Sequence, residues 1–447
     1  MHIDQDTLAD IAGLGSLRAP NGDDLLTFFD RTASAGGRRK LSELFMQPLS
    51  SVASISARQQ TLRALNSLSP RPVLIGADRF IAVAKNYLAS SYQRFPATRL
   101  DCWIFQHRYP EAVAFVAEGL LATRGFLEIA GQVLAALQPL AGKSDELSAI
   151  AAVLRRCLQA DSCAELCKVN PGDTSHLALV VRDAAIRDNR AQIVDAIAAI
   201  HLLDALLSLA TVSGDPSFSF PEVVDAERSF LQVTRLFHPL LGRDHTYDVS
   251  LPADSPVFFL TGPNMAGKST LLRACGLLVL MAHVGMAVPA TQATLSIYDR
   301  LFSSLNSRDS LSRGESHYSA EVKRIVQVLD HVASGDRVFA LLDEMFKSTN
   351  IKDAYDGTEL VVTGLSKSHV GSFMIASHLA ELGLNFRDEA GVRMYRIEAI
   401  IKDGGIQFPR VVEPGVSEQR LGMLLLEREG ALALLHRIGD TPWRGRD

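Results

Sequence analysis

The residues best suited to chemistry in this 447-residue chain form one run, Gly262-Pro263-Asn264-Met265-Ala266-Gly267-Lys268-Ser269-Thr270. Its first eight positions fit G-x-x-x-x-G-K-[ST], the pattern of a phosphate-cradling loop. Glycines let successive backbone N–H groups wrap phosphate oxygens, the lysine reaches the β and γ phosphates, and the Ser269 hydroxyl suits Mg²⁺. A helix beginning there adds its positive end. The competing reading is a plain glycine-rich turn with a solvated lysine. The flanks weigh against it, since the apolar run Val257–Leu260 precedes the loop and a helical pattern follows.

A second candidate, Asp343-Glu344, closes the apolar run that ends in Leu341-Leu342. Asp343 there would join the Mg²⁺ shell, and Glu344 would orient or deprotonate an attacking water. An adjacent glutamate favours hydrolysis over the transfer of a small-molecule kinase. His378, two residues past the run Phe373–Ala376, is either a satisfied strand-end histidine or the γ-phosphate sensor of an ABC-type ATPase. Ser316 lies in Asp309–Ser319, before a helical pattern with Val322, Ile325, Val326 and Leu329 on one side. As a plain residue it caps that helix. As a functional one it belongs to a signature loop offered to a nucleotide on a partner subunit. Together Lys268, Ser269, Asp343 and Glu344 imply Mg²⁺-dependent hydrolysis of ATP, with Glu344 catalytic and Ser269 and Asp343 holding the metal, while both readings of His378 and of Ser316 stay open.

These groups need strands and helices to hold them. From Leu25 to about Ala210 apolar residues recur at three- and four-residue spacing, which predicts an all-α domain. Its last helix carries Ile193, Ile197, Ile200, Leu203 and Leu207 on one stripe, with His201, Asp204 and Ser208 on another face. Ser213–Glu222, holding Gly214, Pro216 and Pro221, breaks the pattern and reads as a linker. Beyond it the runs Val257–Leu260, Val338–Leu342 and Phe373–Ala376 alternate with helices, the sign of a buried parallel sheet. Arg393–Ile401 and Ile406–Val412, flanking Asp403-Gly404-Gly405, read as a hairpin. The expected fold class is therefore multi-domain, an all-α domain followed by an α/β P-loop domain. The expected divisions are 1–22, 23–220 and 221–447.

Composition sets outer bounds. Hydrophobic residues are 47% and charged residues 21%, which excludes disordered, collagenous and coiled-coil extremes. With Lys+Arg 45 against Asp+Glu 50, net −5, neither half is a basic tail, so any nucleic-acid contact must be a local patch. Arg31, Arg38, Arg39 and Lys40 are such a patch if they line a groove, and otherwise a solvated helix face. Five cysteines are too few for a disulfide framework, and the helical spacing of Cys157, Cys163 and Cys167 suits buried side chains better than a metal cluster. A reducing cytoplasm is expected. Met1–Asp10 has no apolar core of a secretory signal. The most apolar stretch, Ala274–Ala290, contains His283, Gly285 and Pro289 and reads as a buried helix, so no membrane is expected.

The run TGPNMAGKSTLLRACGLLVLMAHVGMAVPA (Thr261–Ala290) resembles the P-loop and following helix of the MutS mismatch-repair ATPases. The likeness continues through the Ser316 loop, LLDEMFKSTN (Leu341–Asn350), IASHLAEL (Ile375–Leu382) and VEPGVSEQRLG (Val412–Gly422). LLTFFDRTASAGGRRKLSELFMQPLSSVASISARQ (Leu25–Gln59) resembles the start of the family's core domain. The helix near Ile200–Ser213 with PEVVD (Pro221–Asp225) resembles the end of its lever. Pro70–Asn189 matches only as generic helices.

The resemblance implies a core/lever domain joined to an ABC-type ATPase domain with a C-terminal helical dimerisation segment, forming a homodimer around two nucleotides. It implies a DNA partner, duplex or branched, held without regard to sequence, in mismatch repair or a related repair or recombination process. Lys268, Ser269 and Asn264 would meet phosphate and Mg²⁺, Asp343 and Glu344 would form Walker B, His378 would be the switch, and Ser316 would act in trans. The family stacks adenine near His238–Tyr247. Departures include the short stretch before the core-like segment, from which the family's mismatch-reading and connector domains are expected to be absent, and KSTNIKDAYDG (Lys347–Gly357), which is closer to shorter MutS-like branches. An ATP-gated scaffold for protein or ribosome contacts is the alternative.

Overall fold

A computed structural model describes residues 1–12, 25–72, 74, 76–90, 104, 107–168, 176–305, 317–402, 405–419, 421 and 426–439. The chain divides into two compact units. One is Asp24–Phe220 with Met281–Ala287; the other is Met1–Asp23, Pro221–Leu280 and Val288–Asp447. The first residues are thus not a separate segment, as the sequence suggested. Strand β1 (His2–Ile3) pairs in parallel with a strand at Arg300–Ser304, and helix α1 (Gln5–Ala12) follows it. The sequence concealed this because a two-residue strand has no periodicity.

The helical unit contains α2 (Leu25–Phe29), α3 (Ala35–Met46), α4 (Val52–Asn66), α5 (Ala77–Ala89), α6 (Pro110–Leu137), α7 (Asp145–Gln159), α8 (Asp161–Lys168), α9 (His176–Asp188) and α10 (Arg190–Ser213). Serine caps start three of them. Ser34, Ser51 and Ser144 accept from the N–H groups of Gly37, Ser54 and Leu147 at 2.9, 3.2 and 3.2 Å, satisfying donors that a helix start leaves unpaired.

Helix α10 departs from the expected two faces, because Asp204 and Ser208 are buried along with the isoleucine stripe. The Asp204 carboxylate accepts from Ala33 N, Ser34 N and Ser34 Oγ at 2.9, 2.9 and 2.6 Å. Ser208 Oγ accepts from Arg31 N at 2.6 Å and donates to Phe29 O at 2.7 Å. Burial of polar groups is tolerated because each has a partner. Among the described residues two helical stretches, Pro110–Leu140 and Arg190–Ser213, are long and apolar enough to cross a membrane, and 67% of the second's most apolar window is buried.

The α/β unit continues with β2 (Glu222–Val224), β3 (Leu231–Leu236), β4 (Tyr247–Leu251), β5 (Val257–Thr261), α11 (Lys268–Val284), β6 (Gln292–Ser296), β7 (Arg300–Ser304) and α12 (His317–Ala333). After these come β8 (Val338–Asp343), α13 (Ile351–Leu365), β9 (Ser372–Ser377), α14 (Ala380–Asn385), β10 (Val392–Arg396), β11 (Ile400–Lys402), β12 (Gly405–Gln407), β13 (Glu413–Pro414) and α15 (Ala431–Gly439). A seven-stranded sheet runs β1-β7-β8-β9-β5-β10-β13, parallel except for the last pair. A four-stranded sheet runs β2-β6-β3-β4.

The three apolar runs expected as strands are β5, β8 and β9, side by side and buried. The hairpin is shorter than expected. Only β11 and β12 form it, while Arg393 lies in β10 and pairs with β5. On α12 the buried side holds Ile325 and Val328, and Val326 is 55% exposed. Val322 and Leu329 pack against the same core as expected, with Val332 beside them, and Val326 falls outside the stripe because it lies about 100° round the helix from Ile325.

Candidate active site

Parallel strands β5, β8 and β9 end on the same side of the sheet, and each delivers part of the site. Past β5, Gly262 passes so close to Ile397 that a Cβ would lie 2.4 Å from its carbonyl oxygen. Met265 has φ +70° and Gly267 φ +105°, so the turn uses left-handed backbone that glycine takes without strain and methionine does not. Asn264 and Met265 are exposed, Pro263 and Ala266 are buried, and Thr270 lies half-buried in the first turn of α11. Lys268 opens that helix. Its side chain is 5% exposed, and Nζ donates to Gly262 O at 2.7 Å and Pro263 O at 3.2 Å. Burial lowers the ammonium pKa, against the pull of Glu344 and Asp343.

Past β8, Asp343 accepts a hydrogen bond from Ser269 Oγ through Oδ2, while its Oδ1 is buried with no partner. Burial raises this carboxyl's pKa; Ser269 and Lys268 oppose the rise and Glu344 adds to it. Glu344 has φ +51° and is fixed by its N–H, which donates to Ala376 O on β9 at 2.9 Å. Past β9, His378 Nδ1 lies 3.5 Å from Glu344 Oε1. The pairing holds the glutamate below its ordinary range and lifts the imidazole above its own. The result is an ionised carboxylate beside a buried ammonium and a second carboxyl group with one oxygen on Ser269 and the other without a partner.

Two further side chains approach the loop. Tyr247, at the start of β4, is buried with its hydroxyl unpartnered, and that oxygen lies 3.4 Å from where a Cβ on Gly267 would be. Arg410, with φ +57°, brings its side-chain carbons within 3.5 Å of the same point. Tyr247 lies within the stretch singled out for adenine stacking, whereas Arg410 was not foreseen. Ser316 lies outside the described residues. Among the described residues no group of three or more His, Cys, Asp or Glu side chains could hold a metal ion by itself. Ser269 and Asp343 offer a hydroxyl and carboxylate oxygens, the hard donors that Mg²⁺ takes alongside water and phosphate.

Residues 258–431 match MutS domain V. The chain is 31% identical over 237 residues to the DNA mismatch repair protein MutS of Natronomonas pharaonis, covering 52% of this chain and 27% of that protein. It is 30% identical over 248 residues to MutS of Lactobacillus johnsonii, covering 54% and 28%. MutS of Caldanaerobacter subterraneus is 28% identical over 236 residues, covering 52% and 27%. The chain thus spans about a quarter of the length of these relatives. The loop, the paired acids and the strand-end histidine all fall inside the segment that is similar to MutS domain V.

Proposed function

We propose that the protein binds and hydrolyses Mg·ATP at the ABC-type site formed by Gly262–Thr270, Asp343, Glu344 and His378, and that nucleotide state changes its grip on DNA as a homodimeric clamp. The observation that carries this reading is the convergence at adjoining strand ends of Ser269 on Asp343, His378 on Glu344, and Lys268 among them. The loop N–H groups and Lys268 bind the phosphates. Ser269 and Asp343 would hold Mg²⁺, which would supply neutralisation of phosphate charge when bound. Glu344, kept ionised by His378, takes the proton of the attacking water at its carboxylate. Ser316 completes the site of the partner subunit, and α15, with exposed Leu434, Leu435 and Ile438, belongs to the dimerisation segment.

Hydrolysis and binding are separable by mutation. Lys268→Ala should lose nucleotide affinity. Glu344→Gln should retain Mg·ATP binding and hydrolyse it about 10²–10⁴-fold more slowly, the worth of a positioned base. Equal turnover by Glu344→Gln and the parent overturns the assignment.

A further inference from the structure

The helical unit holds a second polar site, remote in sequence from the phosphate loop. A groove of about 490 Å³ is lined by the outer stripes of α3 and α5 and floored by α10. That volume is of small-ligand size. Arg39 and Lys40 come from α3, Lys85 from α5 and His201 from α10. Lys40 is neutralised by Glu43 at 2.9 Å. Asp78, the acid on α5, accepts from Ala35 N at 2.7 Å. Arg39 and Lys85 have no acceptor among the described residues, and His201 Nε2 is buried without a partner. The imidazole lies flat against Gly36, where a Cβ would be 2.1 Å from Nε2. Burial, then Lys85 and Arg39, lower its pKa, while Asp78 raises it.

Two basic groups without an acceptor among the described residues, the Arg39 guanidinium fork and the Lys85 ammonium, thus line one groove beside His201. We propose that this groove is a phosphate-binding site in which Arg39 and Lys85 pair with the anion. A forked guanidinium suits two oxygens of one phosphate, and a lysine adds a point charge. The phosphate comes either from a nucleic-acid backbone or from a small phosphorylated molecule. Of the basic cluster 31–40, only Arg39 and Lys40 line this groove. Arg38 pairs with Asp30 at 3.2 Å and Arg31 donates to Asp30 O at 2.9 Å. The inference does not depend on the ATPase reading, and failure of either leaves the other standing.

The test uses the full chain carrying Lys268→Ala, so that the phosphate loop does not report. Inorganic phosphate is titrated by calorimetry and a labelled DNA duplex by fluorescence anisotropy, with Arg39→Ala/Lys85→Ala and with a control of equal charge loss, Arg155→Ala/Arg156→Ala on α7. All four are exposed side chains, and thermal melting checks that each variant is folded. At least one probe should bind and lose about tenfold or more in affinity in the groove variant, the effect of removing charge-assisted hydrogen bonds, with a smaller loss in the control. Loss of phosphate affinity identifies a free phosphorylated ligand as sufficient; loss confined to the duplex identifies the backbone. Equal effects of the two double variants, or no binding of either probe, overturn the proposal.

Discussion

Glu344 and His378 stand at the ends of neighbouring strands, so their pairing is set by the sheet rather than by side-chain choice. The imidazole is raised above its ordinary value and the carboxyl lowered below its own. On the histidine side the pairing is fully present below the ordinary histidine pKa and fades as pH rises through the raised one. On the glutamate side it is present above the ordinary glutamate pKa and fades as pH falls through the lowered one. It therefore operates across the interval between the two perturbed values. NMR titration of His378 should give a pKa above that of a free histidine, and Glu344→Gln should bring it down, since burial and Lys268 are then opposed by Asp343 alone. An unchanged value in Glu344→Gln would refute the pair. The loop and the Asp343-Glu344 step were legible in the sequence because each is contiguous and carries its own chemistry. Tyr247 and Arg410 were not, because only the fold brings them to Gly267, and nothing in an arginine forecasts left-handed backbone.

At the scale of elements, the start of α3 is determined from α10. Ser34 caps α3 and is itself held by Asp204. Gly37 is the residue that allows the approach, since a Cβ there would lie 2.1 Å from Asp204 Oδ2. Replacing Asp204 by alanine strands the N–H groups of Ala33 and Ser34, at about 1–3 kcal/mol for each buried donor left unpaired. Asp204→Ala should therefore lower the stability of the helical unit by about 2–5 kcal/mol, read as a shifted urea midpoint. A change under about 0.5 kcal/mol would show that these donors find other partners. Periodicity made the strands β5, β8 and β9 legible, as continuous apolar runs buried on both faces. It left the second face of α10 without an assigned environment, because the partners of Asp204 and Ser208 lie far off in sequence, between Phe29 and Ser34.

For the whole molecule, the proposed grip on DNA runs through basic side chains on helices to phosphates, contacts that carry no sequence information directly. Affinity should fall with salt at a slope of about −0.9 per neutralised phosphate. Homoduplex and single-mismatch duplex should bind alike. ATP should alter the affinity by an amount worth about 1–3 kcal/mol. Anisotropy titrations at two salt concentrations, with and without ATP, measure all three effects. Strong mismatch preference would contradict phosphate-only contact, and no binding at low salt would favour a scaffold that acts on proteins. The pairing of Ile3 with Leu301 also has a consequence in time. At about 5–20 residues per second, ribosomal synthesis separates these two positions by roughly 15–60 s. During that wait β1 has no strand to join, and the whole helical unit emerges from the ribosome before the sheet can take up its own first strand.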